Sequence, residues 1–395
     1  MDENRIQDYL NLIQQLLNCP SGEEPEILQA NSDLLDLGFL QVCEGVAAQF
    51  AEEGNENAAN FLRNLASQLG KFLGKNEDVD DDKSEDENFQ TYRDFILELL
   101  QAERYSNSDV AIIYPMLAQR QNSLNAGFCE SLQQVAENLI TEHPEAIESI
   151  LCDLENLSID IMKFPLGKKA NNIEIAITGF QIVLMNSEPG SENWGGTQNN
   201  LGEAYRLRIR GERADNLEKA IASYTTALQV LTHEAFPKYW AMTQNNLGAA
   251  YSDRIRGERA DNLDKAIAFF TAALTVYTRE AFPEYWATTQ NNLGGAYCLR
   301  IRGERADNLE KAIASYIAAL TVYTREAFPQ DWAMTQHNLG AAYSNRIRGE
   351  KADNLEKAIA FYTAALKVRT HEAFPQDWAM TQNNLAIAYS DRIRG

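Results

Sequence analysis

All five tryptophans of this chain, Trp194, Trp240, Trp286, Trp332 and Trp378, stand 46 residues apart. Around each, one text returns: Trp240-Ala241-Met242-Thr243-Gln244-Asn245-Asn246-Leu247-Gly248, then Tyr251, then Arg254-Ile255-Arg256-Gly257. A second segment, Asp261-Asn262-Leu263-Asp264-Lys265-Ala266-Ile267, runs on towards Tyr277 and Phe282-Pro283. A fixed period of this length restricts the back half to stacked copies of one supersecondary unit.

Each half of the unit reads as a helix. Trp240, Gln244, Leu247, Tyr251 and Ile255 recur at steps of three and four, one face of a 3.6-residue helix. Gly257 is expected to end that helix in the left-handed region, and Asp261 to cap the next. Ile267, Phe270, Leu274 and Tyr277 form the second apolar stripe, with Ala266 and Ala273 allowing close approach, and Pro283 opens the following helix. The unit is a helical hairpin.

The pattern Leu247-Gly248-x-x-Tyr251, Ala266-x-x-x-Phe270-x-x-Ala273 and a following proline resembles the tetratricopeptide repeat. It recurs at Leu201, Leu293 and Leu339, and its first half at Leu385. The resemblance implies an all-α, right-handed α-solenoid. The 46-residue period exceeds the usual unit of about 34. Both helices are therefore expected to be longer, as in the repeats of kinesin light chains. Gln244 holds the family's tryptophan site.

Four full hairpins are expected from about 194 to 375, preceded by a degenerate second helix at 171–185 and followed by an unpaired first helix at 378–395. That last helix reads as a terminal cap or as the end of a shortened chain. Residues 166–395 thus form the array.

The front half is another helical module. Helices are expected at 3–18, 33–53, 56–73, 89–104, 109–118, 128–142 and 145–163. They group into a bundle over 1–74, an acidic linker over 75–88 and a second bundle over 89–165. Leu28, Leu35, Phe39, Ala47, Leu62 and Leu65 match Leu117, Leu124, Phe128, Ala136, Leu151 and Leu154 at a constant offset, which suggests a duplication. This front half running into long repeats resembles the N-terminal part of large bacterial repeat proteins that end in a caspase-like CHAT peptidase domain. That domain is missing here, so no catalytic residue is assigned.

Charge separates the halves. Up to Pro165 there are 32 acids and 9 bases, out of 57 and 35 in the chain, leaving the array nearly neutral. The acidic balance argues against nucleic acid and anionic membrane as partners. The N-terminus lacks a signal peptide, no apolar run reaches the length of a membrane helix, and five scattered cysteines imply reduced thiols. A cytoplasmic chain is expected. No metal or cofactor site is expected: the histidines lack ligand spacing, and Asp78-x-Asp80-x-Asp82 has Lys83 where a calcium loop needs glycine. Cys298, replacing a serine of other copies, is expected to be exposed.

The candidate site is an asparagine ladder. Stacking first helices lines up Asn199/Asn200, Asn245/Asn246, Asn291/Asn292, His337/Asn338 and Asn383/Asn384. Helical phase puts Asn245 opposite the core with Asn246 on the flank, and His337 at an exposed rung. A carboxamide both donates and accepts, which suits the backbone of an extended peptide or protein partner. The alternative is that these amides brace neighbouring hairpins. Arg210, Arg256, Arg302 and Arg348 form a secondary basic stripe, either open to acidic ligands or paired with nearby acids. The reading is a non-enzymatic interaction scaffold, with selection by Glu203, Ala249, Gly295, Ala341 and Ile387. A regulatory portion of a caspase-like peptidase system, with that peptidase or its regulator as partner, and a self-assembling homo-oligomer are the alternatives.

Overall fold

The computed structural model describes residues 3–18 and 85–394, with single positions between 27 and 65. The expected helices over 33–53 and 56–73 lie outside the described residues except at those positions. Cys19 and the aspartate run at 78–82 lie outside them entirely.

The chain divides into two compact units, Met1–Asn88 and Phe89–Gly395. In the first, helix α1 (Glu3–Asn18) buries Tyr9, Leu12, Ile13 and Leu16 against Phe39, Cys43, Ala47, Leu62 and Leu65. These nine side chains fall on one face of α1 and at apolar positions of the following stretch.

The regular structure among the second unit's described residues is helical. Its first helices are α2 (Glu85–Ser106), which belongs to this unit from Phe89 on, α3 (Val110–Gln119) and α4 (Ala126–Glu142). Asp109 caps α3 by accepting from the Ala111 amide, and Asn125 caps α4 by accepting from that of Phe128. Phe95, Leu99, Phe128 and Leu132 form a core that continues without a break into Leu154, Ile161, Ile175 and Ile182. These last four lie on α5 (Ile147–Lys163) and α6 (Lys169–Asn186).

The array follows as first-helix and second-helix pairs: α7 (Glu192–Leu207) with α8 (Arg213–Ala227), α9 (Pro237–Asp253) with α10 (Arg259–Ala273), α11 (Pro283–Leu299) with α12 (Arg305–Ala319), and α13 (Pro329–Ser344) with α14 (Lys351–Ala365). Helix α15 (Pro375–Arg394) completes it. The result is an all-helical solenoid. Within each pair a first-helix glycine meets an aromatic ring: Gly202 Tyr224, Gly248 Phe270, Gly294 Tyr316 and Gly340 Tyr362. A Cβ at any of these glycines would come within 2.7–2.9 Å of the ring, so the absence of a side chain sets how near the helices approach.

Several expectations shift. The first helix ends at Asp253 rather than near Gly257, and the second begins at Arg259 with Glu258, not Asp261, at the cap. Ile255 therefore lies in the connection and is 61% exposed, although its spacing matched the buried stripe. The 46-residue unit divides into helices of 17 and 15 residues and connections of five and nine. Leu274 to Tyr277 winds down in one further turn, which buries the Tyr277 ring.

The five-residue connection has its own staple. Gly257 takes φ +79°, and buried Asn262 donates to the Arg256 carbonyl at 2.9 Å. Asn216, Asn308 and Asn354 do the same for their copies. So does Asn172, donating to the Leu166 carbonyl at 3.0 Å, beside Gly167 at φ +77°. Helix α5 is thus the first-helix partner of α6, and this pair is built like the repeats despite its divergent sequence. No described helix is long and apolar enough to cross a membrane.

Candidate functional site

The asparagine ladder is a chain of bonds between hairpins. Asn246 Nδ2 donates to Asn199 Oδ1 at 3.2 Å, Asn292 to Asn245 at 3.3 Å, and Asn338 to Asn291 at 3.3 Å. Asn384 Nδ2 faces His337 Nε2 at 3.3 Å. Each pair forms one donor row and one acceptor row, always reaching back one hairpin.

The acceptor row is the deeper one. Asn199, Asn291 and His337 are buried, Asn245 is half-buried, and only Asn383 on the last helix is exposed. This reverses the expectation that Asn245 faces the groove and that His337 is an exposed rung. The next hairpin's first helix packs over that side and puts its own asparagine across it. The donor row, Asn200, Asn246, Asn292, Asn338 and Asn384, stays half-buried beside Ala249, Gly295 and Ala341.

The ladder starts at a residue the sequence did not single out. Glu155 Oε1 accepts from Asn200 Nδ2 at 3.0 Å and from Thr197 Oγ1 at 2.9 Å. A carboxylate thus holds the place that an amide holds in later rungs. Burial pushes its pKa up, while the Thr197 and Asn200 hydrogen bonds pull it down. Glu155 also lines a cavity of about 220 Å³ with Asn193, Gly196, Asn200, Tyr239 and Met242, on the same side as the donor row. Its signal was the Glu155–Asn199 interval, two residues short of the 46-residue period, which a search for repeated text passes over.

The basic stripe is occupied by acids from the preceding hairpin. Arg256 pairs with Asp215 and Arg348 with Asp307, while Arg302 lies 2.6 Å from Asp261. Arg210 donates to Asn171 Oδ1 at 2.6 Å. Of the two readings of the stripe, these contacts fit the one in which nearby acids pair with it: Arg256, Arg302 and Arg348 meet counter-charge from the preceding hairpin, and Arg210 meets an amide. A second, better shielded row runs beside it, with Arg208 on Glu174, Arg254 on Glu218, Arg300 on Asp264 and Arg346 on Glu310, each at 2.8 Å. These arginines hold the Glu218, Asp264 and Glu310 carboxyls below their ordinary range.

Cys298 is half-buried rather than exposed, with the Tyr316 hydroxyl 3.9 Å from its sulfur, and burial pushes its thiol pKa up. Among the described residues, no group of three or more His, Cys, Asp or Glu side chains could hold a metal ion. What the site offers is a row of carboxamides, each with one N–H committed to the neighbouring hairpin and the rest of its bonding capacity unspent on it.

The family-model match agrees with the repeat architecture. Residues 240–274, 286–320 and 332–372 match the family model of the tetratricopeptide repeat. Among solved structures, the chain is similar to the APC/C hetero-tetramer Cut9-Hcn1, at 16% identity over 98% of this chain and 77% of that one, TM-score 0.43. It is also similar to the P58(IPK) TPR domain, at 12% identity over 97% of this chain and 99% of that one, TM-score 0.26. No curated protein matches the chain.

Proposed function

We propose that this chain, a tetratricopeptide-repeat protein, is a non-enzymatic interaction scaffold that holds an extended segment of a protein partner along the donor row of its asparagine ladder. One observation carries the reading: Asn200, Asn246, Asn292 and Asn338 are half-buried on successive first helices, and each spends one N–H on the preceding hairpin. The other N–H and the carbonyl suit the alternating donors and acceptors of a peptide backbone. The small residues Ala249, Gly295 and Ala341 beside the row leave space for the partner's side chains.

The test fills the groove from two positions that are not themselves rungs of the ladder. Peptides selected from a random display library on the intact chain are titrated against Gly196→Arg and Ala249→Trp variants. A Cβ at Gly196 meets no atom within 4 Å, so the fold tolerates the change. Affinity should fall by about tenfold or more in both variants, the scale of a lost central contact. Selected peptides that bind both variants unchanged would remove the groove from the account.

A further inference from the structure

The second unit carries a cavity of about 460 Å³ on its N-terminal helices, sharing α5 with the asparagine ladder: Ile150 and Asp153 line the cavity and Glu155 starts the ladder. Its walls are Leu97 and Leu100 of α2, Leu139 of α4 and Ile150 of α5. Arg104, His143 and Asp153 line it as well. The volume lies within the range of sites that take a ligand, and the mixture of aliphatic walls with a few convergent polar groups is the usual composition of one.

The electrostatics select the sign of the occupant. The lining guanidinium already has a partner, Arg104 Nε donating to Asp153 Oδ2 at 2.8 Å, and His143 Nδ1 lies 3.6 Å from Glu145 Oε1. Of the residues next to the lining ones in sequence, Glu142 and Glu145 are exposed carboxylates, whereas Glu98 pairs with Arg120 at 3.0 Å. Two helices also end at the cavity. Arg104 and Tyr105 belong to the last turn of α2, and Leu139 and His143 to the last turn and C-cap of α4. Helix C-termini carry partial negative charge, so both dipoles add to the carboxylates in favouring a cation at the mouth.

We infer that this cavity is a docking site for a basic amphipathic helix of a protein partner, with its apolar side chains seated among Leu97, Leu100, Leu139 and Ile150 and its lysines or arginines on Glu142, Glu145 and the two helix ends. Apolar contact supplies the affinity and charge complementarity the orientation and encounter rate. The inference is independent of what occupies the groove.

The experiment uses the full chain and a labelled synthetic peptide of leucine and lysine at amphipathic helical spacing, read by fluorescence anisotropy. A serine–lysine peptide and a leucine–glutamate peptide serve as controls. Binding of the leucine–lysine peptide alone is expected, weakened about tenfold or more by the exposed pair Glu142→Lys/Glu145→Lys and also by Leu97→Asn. Hydrogen exchange should show new protection in residues 97–105 and 139–153. Equal binding of the serine–lysine peptide, unchanged affinity in the charge-reversed variant, or protection confined to other residues would overturn the assignment. Circular dichroism confirms that each variant is folded before its affinity is read.

Discussion

His337 Nδ1 lies 3.0 Å from Thr381 Oγ1, and that contact settles the state of the imidazole. The Thr381 hydroxyl donates its one hydrogen to the Asp377 carbonyl at 2.7 Å, so it accepts from His337 and from Arg369, whose guanidinium is 3.3 Å away. His337 Nε2 is then left to accept from Asn384. The ring is neutral, with its proton on Nδ1. Burial, then the Arg369 charge, depress its pKa to about 4, with Asp377 acting in the other direction.

A pH dependence follows. Native His337 refuses a proton that the unfolded chain accepts, so its contribution is complete above the ordinary histidine range and is lost as pH falls towards 4. His337→Asn restores the amide rung and should lose less stability than the parent between about pH 7 and pH 4.5. Urea unfolding of both chains at the two pH values measures the difference. Identical losses would mean that His337 does not titrate in this way.

A Cβ on Gly248 would stand 2.8 Å from the Phe270 ring, whereas one on Gly196 meets nothing within 4 Å. Gly248→Ala should destabilise by about 1–3 kcal/mol through overpacking. Gly196→Ala should stabilise by about 0.5–1 kcal/mol, because alanine has less chain entropy to lose in a helix. Thermal unfolding of the two single variants should therefore move in opposite directions.

The two arginine rows should not be equal. Arg254 makes two 2.8 Å bonds to Glu218, and both side chains are largely shielded, whereas Arg256 and Asp215 are about half exposed. Arg254→Ala should cost about 1–2 kcal/mol, and Arg256→Ala about 0.5 kcal/mol or less. The Arg254 effect should shrink in acid, because Glu218 is held below its ordinary range and its contribution is lost as pH falls through that depressed value. Equal costs for the two variants at neutral pH would contradict the ranking.

Glu103 is almost fully buried in the N-terminal helices, beside Asp160. Burial and the neighbouring Asp160 and Asp153 carboxylates push its pKa up to about 7, against a hydroxyl contact from Ser108. The native protein therefore prefers the protonated acid. Its contribution is full below about pH 4.5 and is lost as pH rises through 7. Glu103→Gln should be more stable than the parent near pH 8 and lose that advantage near pH 5, as read by chemical denaturation.

The hairpins and their order were legible because tryptophan spacing and helical phase report burial directly. Details set by neighbouring hairpins were not. Ile255 has the phase of a core residue, yet the helix stops at Asp253, where Arg254 turns aside to Glu218 and Asn262 holds the Arg256 carbonyl. Asn262 was visible as repeated text, but its position near a helix start concealed that it ties down the preceding loop. Phase within one helix placed Asn245 outermost, and only the adjacent Asn292 shows why it lies inward. Glu155 and the α5–α6 pair stayed hidden because their residue types and spacing depart from the period, while loop geometry keeps the resemblance.

Every rung of the ladder belongs to two hairpins at once, from Glu155 with Asn200 to His337 with Asn384. The amide row therefore lies on the joints between hairpins, where each side chain belongs to the packing of two repeats. The glycine–aromatic contacts, by contrast, lie wholly inside each hairpin. A substitution at an amide rung therefore reaches two repeats, whereas one at a glycine–aromatic contact is confined to a single hairpin.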